Sequence, residues 1–144
     1  MPVARDDPYG RFNFIVEIDG VDRAGFSEVE GLAGHTDVIE YREGVDKTNT
    51  FRLLPGLVRY PPVVLRRGFA GEARLFAWWK AVRDGALDRR AVTIILLDEQ
   101  REPVARWRLR RAWPTKWEGP SLDAKASDVA IETLELVHEG IELE

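Results

Sequence analysis

Cysteine is absent from the 144 residues, which excludes disulfides, thiolate metal sites and thiol catalysis and fits a reducing cytoplasm without requiring one. Histidine is almost absent. His35 and His138 lie far apart, and no acidic spacing around either matches a metal-binding helix, so each is expected to be structural or on the surface. No apolar run approaches the roughly 20 residues that a membrane-spanning helix needs, so no membrane anchor is expected. The opening MPVARDDPYG has no apolar core of signal-peptide length, so a cleaved leader is not expected either. Neither sign of charge dominates: 25 acidic and 21 basic residues give a formal net charge of −4, a poor match overall for nucleic acid or anionic lipid. There is no P-loop and no dinucleotide glycine pattern, and Ser27, Ser121 and Ser127 lack a nucleophile-elbow context. Carboxylate pairs such as Asp6-Asp7 and Glu99 near Glu102 are expected by chance in so charged a chain. No catalytic, cofactor-binding or metal-ligating residue is nominated, and an enzyme is not expected.

What is present reads as β structure in a single domain. Phe12, Phe14, Val16 and Ile18 alternate onto one face of a strand over Arg11 to Asp19, and Asp19-Gly20 suits a tight turn that would return Arg23 to Val29 antiparallel. His35 to Tyr41 reads as another strand, and Val63 to Leu65 resumes an extended pattern after Pro61-Pro62. Glu72 to Arg83 predicts the one helix, with Leu75, Phe76, Trp78, Trp79 and Val82 on a broad apolar arc and Asp84-Gly85 ending it. Ala91 to Leu97 is continuously apolar, as expected of a strand covered on both sides, the helix being one cover. Pro103 to Trp113 alternates again, Trp113 to Lys125 reads as irregular, and Val129 to His138 has strand periodicity with apolar residues on both faces. Roughly eight strands and one helix predict a mainly β fold, an antiparallel sandwich or barrel with one packed helix.

Two stretches carry the functional expectation. Tyr41 to Gly68 begins with a charged, Gly- and Pro-punctuated arm that shows no clear strand or helix period. Its apolar residues Val45, Phe51, Leu53, Leu54, Leu57 and Val58 are too many for a solvated linker, so the arm is expected to lie against another surface. In the second stretch, Arg106, Arg108 and Arg110 form a stripe opposite Ala105, Trp107 and Leu109. The stripe could meet phosphate or other anionic cargo; the preferred reading is a solvated strand face paired with carboxylates such as Glu132 or Glu135. The tryptophans could stack on single-stranded nucleic acid, but Trp79 and Trp107 fall on expected inward faces and are read as core. Trp113 and Trp117, in the irregular segment, stay open.

The segments YGRFNFIVEIDG, GFSEVEGL, YREG with RLLPG, VVLRRG, VTIILLDE, PVARWRLRRAWPTKWEGPSLDAK and VAIETLELVHEGIE occur in that order along most of the chain. On them the chain resembles the tube proteins of contractile tails, which include phage tail tubes and the inner tubes of extracellular contractile injection systems. That resemblance implies an Hcp-like tail-tube domain over residues 1–144, with an extended inter-subunit arm at about 42–62 in which Arg42, Glu43, Lys47, Phe51, Leu53, Leu54 and Pro55 reach a neighbour. It implies hexameric rings that stack into a rigid hollow tube. Its partners would be a sheath around the tube, baseplate, spike and terminator proteins at its ends, and cargo in a lumen that Arg106, Arg108 and Arg110 could line. No cofactor is implied. Assembly would take place in the bacterial cytoplasm, in a particle that could then be released. Alternatives are a tube initiator or adaptor at the baseplate spike, a type VI secretion tube protein, a nucleic-acid-binding β module and, last, a carboxylate hydrolase.

Overall fold

The computed structural model describes residues 6–19 and 21–144, with the side chains of 21–24 excepted. Gly20, half of the expected Asp-Gly turn, lies outside the described residues. Ten strands and one helix follow in order: β1 Phe14–Ile18, β2 Val21–Ala24, β3 Glu28–Glu30, β4 His35–Tyr41, β5 Arg52–Arg59, β6 Val63–Gly68, α1 Arg74–Arg83, β7 Arg90–Leu97, β8 Pro103–Glu118, β9 Ile131–Val137 and β10 Gly140–Leu143. The mainly β, antiparallel expectation with a single helix is met.

The 16-residue strand β8 organises the body. Its first part pairs with β7 on one side and β10 on the other, and its last part, from Trp113, pairs with β9. At Arg111 the backbone takes φ 53°, and the register slips between Pro114 and Lys116. Irregularities of this kind let one strand pass between two packed layers. One layer is β2-β1-β7-β8 with β10, and the other is β8-β9-β6-β3. Between them Val16, Val92, Ile94 and Leu109 meet Val63, Leu65, Leu134 and Leu136 in one core.

Several elements depart from the expectation drawn from sequence. Trp113 to Glu118 is strand, not irregular chain: β7 ends opposite Ala112, so Pro114 sits where β8 is bonded on the β9 side alone, and its missing N–H leaves no ladder bond broken. The return expected over Arg23 to Val29 is split, β2 pairing with β1 and β3 crossing to β6. Next to β3, Gly31 takes φ 95° and its backbone lies so close to Pro62 that a Cβ would collide with that carbonyl. The helix starts at Arg74 rather than Glu72 and packs mainly on β8, with Phe76 edge-on to Trp117 at 4.9 Å, while Arg90 of β7 lies 5.0 Å from the Trp78 ring centre.

On α1, Leu75 and Trp78 are the buried positions, and the Trp78 indole N–H donates to the Asp88 carbonyl at 2.7 Å. Trp79, expected in the core, is only half-buried at the rim, with the Arg83 guanidinium 5.5 Å from its ring centre. Trp107 does pack against the core. Gly85, at φ 92°, follows the helix as its ending required.

Candidate assembly surface

The largest correction concerns the arm. Residues read as aperiodic contain β5, which pairs antiparallel with β4 from Tyr41↔Arg52 to His35↔Arg59 in a two-stranded sheet of its own. At about 3.4 Å per residue the hairpin projects roughly 25 Å. The Pro- and Gly-bearing sequence hid it because Pro55 and Gly56 fall mid-strand. Gly56 is needed there: a Cβ would press on the Asp37 carbonyl at 3.1 Å beside the bulge between Thr36 and Val38.

Strand alternation gives the hairpin two apolar faces. Val38, Leu53 and, past the bulge, Val58 lie on one, and Ile39, Tyr41 and Leu54 on the other, with Leu57 in the bulge itself. All seven are exposed, Leu53 at 69% and Leu57 at 70%. An isolated two-stranded hairpin is marginal in water, and each such side chain contributes about 1.5–3 kcal/mol when fully buried. Covering these side chains would therefore stabilise the hairpin.

Of the expected arm residues, some are bonded within their own hairpin and others are exposed. Arg42 donates to the Thr48 and Asp46 carbonyls at 2.8 and 2.9 Å, and the Glu43 N–H donates to Asp46, so both shape the tip loop of their own hairpin. Arg52 reaches Asp46 at 3.3 Å. Phe51, Leu53 and Leu54 are exposed, Pro55 sits opposite Val38, and Lys47 lies in the tip.

At the hairpin root, Tyr60 packs against His138 with ring centres 5.3 Å apart and ring planes tilted by 45°. His138 sits in the two-residue break between β9 and β10. Its Nδ1 bonds the Gly140 carbonyl at 3.0 Å, and its Nε2 is buried without a partner. Burial pushes its pKa below the ordinary 6.5, the Gly140 bond opposing weakly. The folded chain thus holds the ring neutral, while the unfolded chain protonates it near 6.5. Its contribution to stability is whole above that pH and is lost as pH falls below it. Melting temperatures measured from pH 7.5 to 5 should fall more steeply for the native chain than for His138→Gln.

The arginine stripe has carboxylate company, though not the partners expected. In register across the layer stand Glu17, Thr93, Arg108 and Glu142, and Arg108 pairs with Glu144 at 3.4 Å. Arg110 donates to the Glu139 carbonyl at 3.4 Å. Glu132 is instead buried, 1% exposed, and bonds the equally hidden Arg67 at 2.6 Å and the Trp117 indole N–H at 3.0 Å. Arg67 faces Glu132 directly across β6 and β9. Among the described residues, no three His, Asp or Glu side chains gather as a metal site would require, and no helix is long and apolar enough to cross a membrane.

Residues 10–142 match the family of the T4-like virus tail tube protein gp19. Among solved structures, a chain of the PVC sheath–tube complex, an extracellular contractile injection system in its extended state, is 29% identical. The match covers 96% of this chain and 93% of that one at a TM-score of 0.86. A chain of the anti-feeding prophage tube-terminating cap is 26% identical over 100% of this chain and 95% of that one, with a TM-score of 0.86. Hcp1 from Flavobacterium johnsoniae, 13% identical over 92% and 94% with a TM-score of 0.59, shares the fold alone. No curated protein matches the chain in sequence.

Proposed function

The chain belongs to the T4-like virus tail tube protein family and is a structural tube protein, and from that premise we propose that six copies close into a ring and that rings stack into a hollow tube through the β4–β5 hairpin. The observation that carries this reading is the hairpin itself, a two-stranded sheet of its own whose apolar side chains are exposed on both faces. Open β edges support it: among the described residues β2, β3 and β10 each pair on one side only, and closing a ring gives such edges partners.

The tube's partners in this reading are a contractile sheath around it and baseplate and terminator proteins at its ends, as in the PVC and anti-feeding prophage assemblies that contain the similar chains. Its work is mechanical and not enzymatic. A rigid conduit is driven through a target envelope and passes cargo along its lumen. Assembly in the producing cytoplasm, followed by release of the particle, fits a chain without cysteine. The interleaving of Arg106, Arg108 and Arg110 with Glu142 and Glu144 argues against a dedicated phosphate-binding face.

Electron microscopy of the chain expressed alone tests the proposal. Six-fold rings or tubes of one diameter are expected. Particles that stop at a single ring would mark an adaptor, and a monomer at every concentration would overturn self-assembly.

A further inference from the structure

Between the segment around Tyr9–Phe12 and strand β3 the two layers part, leaving an open groove of about 950 Å³. Its floor is the uncovered end of the core: Phe14, Phe26, Ile94, Leu96 and Trp107. On one lip, Glu28 and Glu30 share a single guanidinium, Arg66, at 3.2 and 3.0 Å, so one carboxylate charge is left over; Arg11 stands at the opposite side. No residue of the hairpin lines this groove, although Leu32, three residues before β4, does. The hairpin therefore leaves from the groove's edge and points elsewhere, and none of the described residues of the same subunit joins the two surfaces.

We infer that the groove receives the β4–β5 hairpin of the next copy of this chain, one apolar face of that hairpin lying over the aromatic floor with Lys47 of the tip beside Glu28 and Glu30. The inference rests on the reading of the hairpin as the inter-subunit joint and names the surface that takes it. Supply and demand match within one sequence: a hairpin with exposed apolar side chains on both faces, and a groove of a volume that ordinarily buries a bulky apolar guest. Exposed apolar patches of this kind mark interaction sites. Charge agrees locally, since the surplus carboxylate of the lip meets a lysine that has no ion-pair partner among the described residues. Because hairpin and groove are different surfaces, the contact is heterologous, and such contacts propagate head to tail into rings or filaments rather than stopping at a pair. The second apolar face of the hairpin remains outward for a further neighbour, as stacking requires.

The natural lack of cysteine makes the test direct. In assembled tubes of a Phe12→Cys, Leu53→Cys chain, mild oxidation should convert most chains into a denaturant-resistant ladder of trimers and larger species. Either single variant should give dimers at most. Independently, a zero-length carbodiimide acting on the unmodified tube should join Lys47 to Glu28 or Glu30 between chains, read as cross-linked peptides from the ladder. Intact tubes that give neither product overturn the groove as receiver and leave the hairpin joint standing. A ladder that ends at dimers overturns the head-to-tail arrangement. A native chain that stays monomeric overturns the joint and the groove together.

Discussion

Leu53→Asp with Leu54→Asp gives a chain that folds, melts cooperatively and no longer forms rings or tubes. Adjacent strand residues point to opposite faces, so the pair places one carboxylate on each apolar face of the hairpin. Neither side chain belongs to the core cluster, so the body of the fold survives the change, at a small cost within the hairpin where the carboxylate at position 53 stands opposite Glu40. In the assembly each aspartate would be desolvated without a partner, a penalty of several kcal/mol per ion. Repeated at every joint, that penalty removes assembly altogether. Sedimentation and electron microscopy read the assembly, and circular dichroism reads the fold. Normal tubes from this variant would show that the hairpin is not the joint.

Glu132→Ala has the largest expected effect on the fold itself. The carboxylate satisfies Arg67 and the Trp117 indole at once; without it Arg67 stays buried with only the more distant Glu72, at 3.8 Å, and the half-buried indole N–H loses its acceptor. Breaking a buried pair from one side costs about 3–5 kcal/mol. At about 2–4 °C per kcal/mol for a chain near this size, the melting temperature should drop by roughly 10 °C. Replacing both partners, Arg67→Met with Glu132→Leu, should recover most of that loss, because no charge is then left stranded. The Leu53→Asp, Leu54→Asp background is the one to use, since assembly would otherwise add its own stability. A drop below about 2 °C would mean that water reaches Arg67 and takes the place of the carboxylate.

The body of the fold was legible where burial on one face imposes a period of two. In β1 and β9 that period survives intact, and Glu132 and His138 could be placed on the same face as Leu134 and Leu136 from sequence. The buried ion pair carried a signal in the same pattern: Arg67 continues the inward series of Val63 and Leu65, and Glu132 that of Leu134 and Leu136. A charge of opposite sign on each of two inward series is what a buried cross-strand pair leaves in a sequence. The hairpin was illegible for the converse reason. With no core of its own subunit beneath it, nothing enforces an apolar-polar alternation, so β5 carries leucine on both faces and tolerates Pro55 and Gly56. Trp113 to Glu118 was hidden by Pro114, which reads as a breaker until the neighbouring strand is known to have ended. Which arm residues shape the tip and which stay free for contact depends on hydrogen bonds such as those of Arg42, which no spacing announces.

Pro55 has a consequence before any tube exists. A newly made subunit displays a long greasy ribbon with two free edges, the very form that stacks into cross-β fibres. The proline withholds one main-chain N–H from any strand that would add to β5 in perfect repeat, and Glu40, Arg52 and Arg59 crowd like charges together when identical hairpins pile in register. The ribbon can thus stay sticky enough to find its proper seat while being a poor template for copies of itself, which lets a cell accumulate subunits ahead of the event that nucleates a tail.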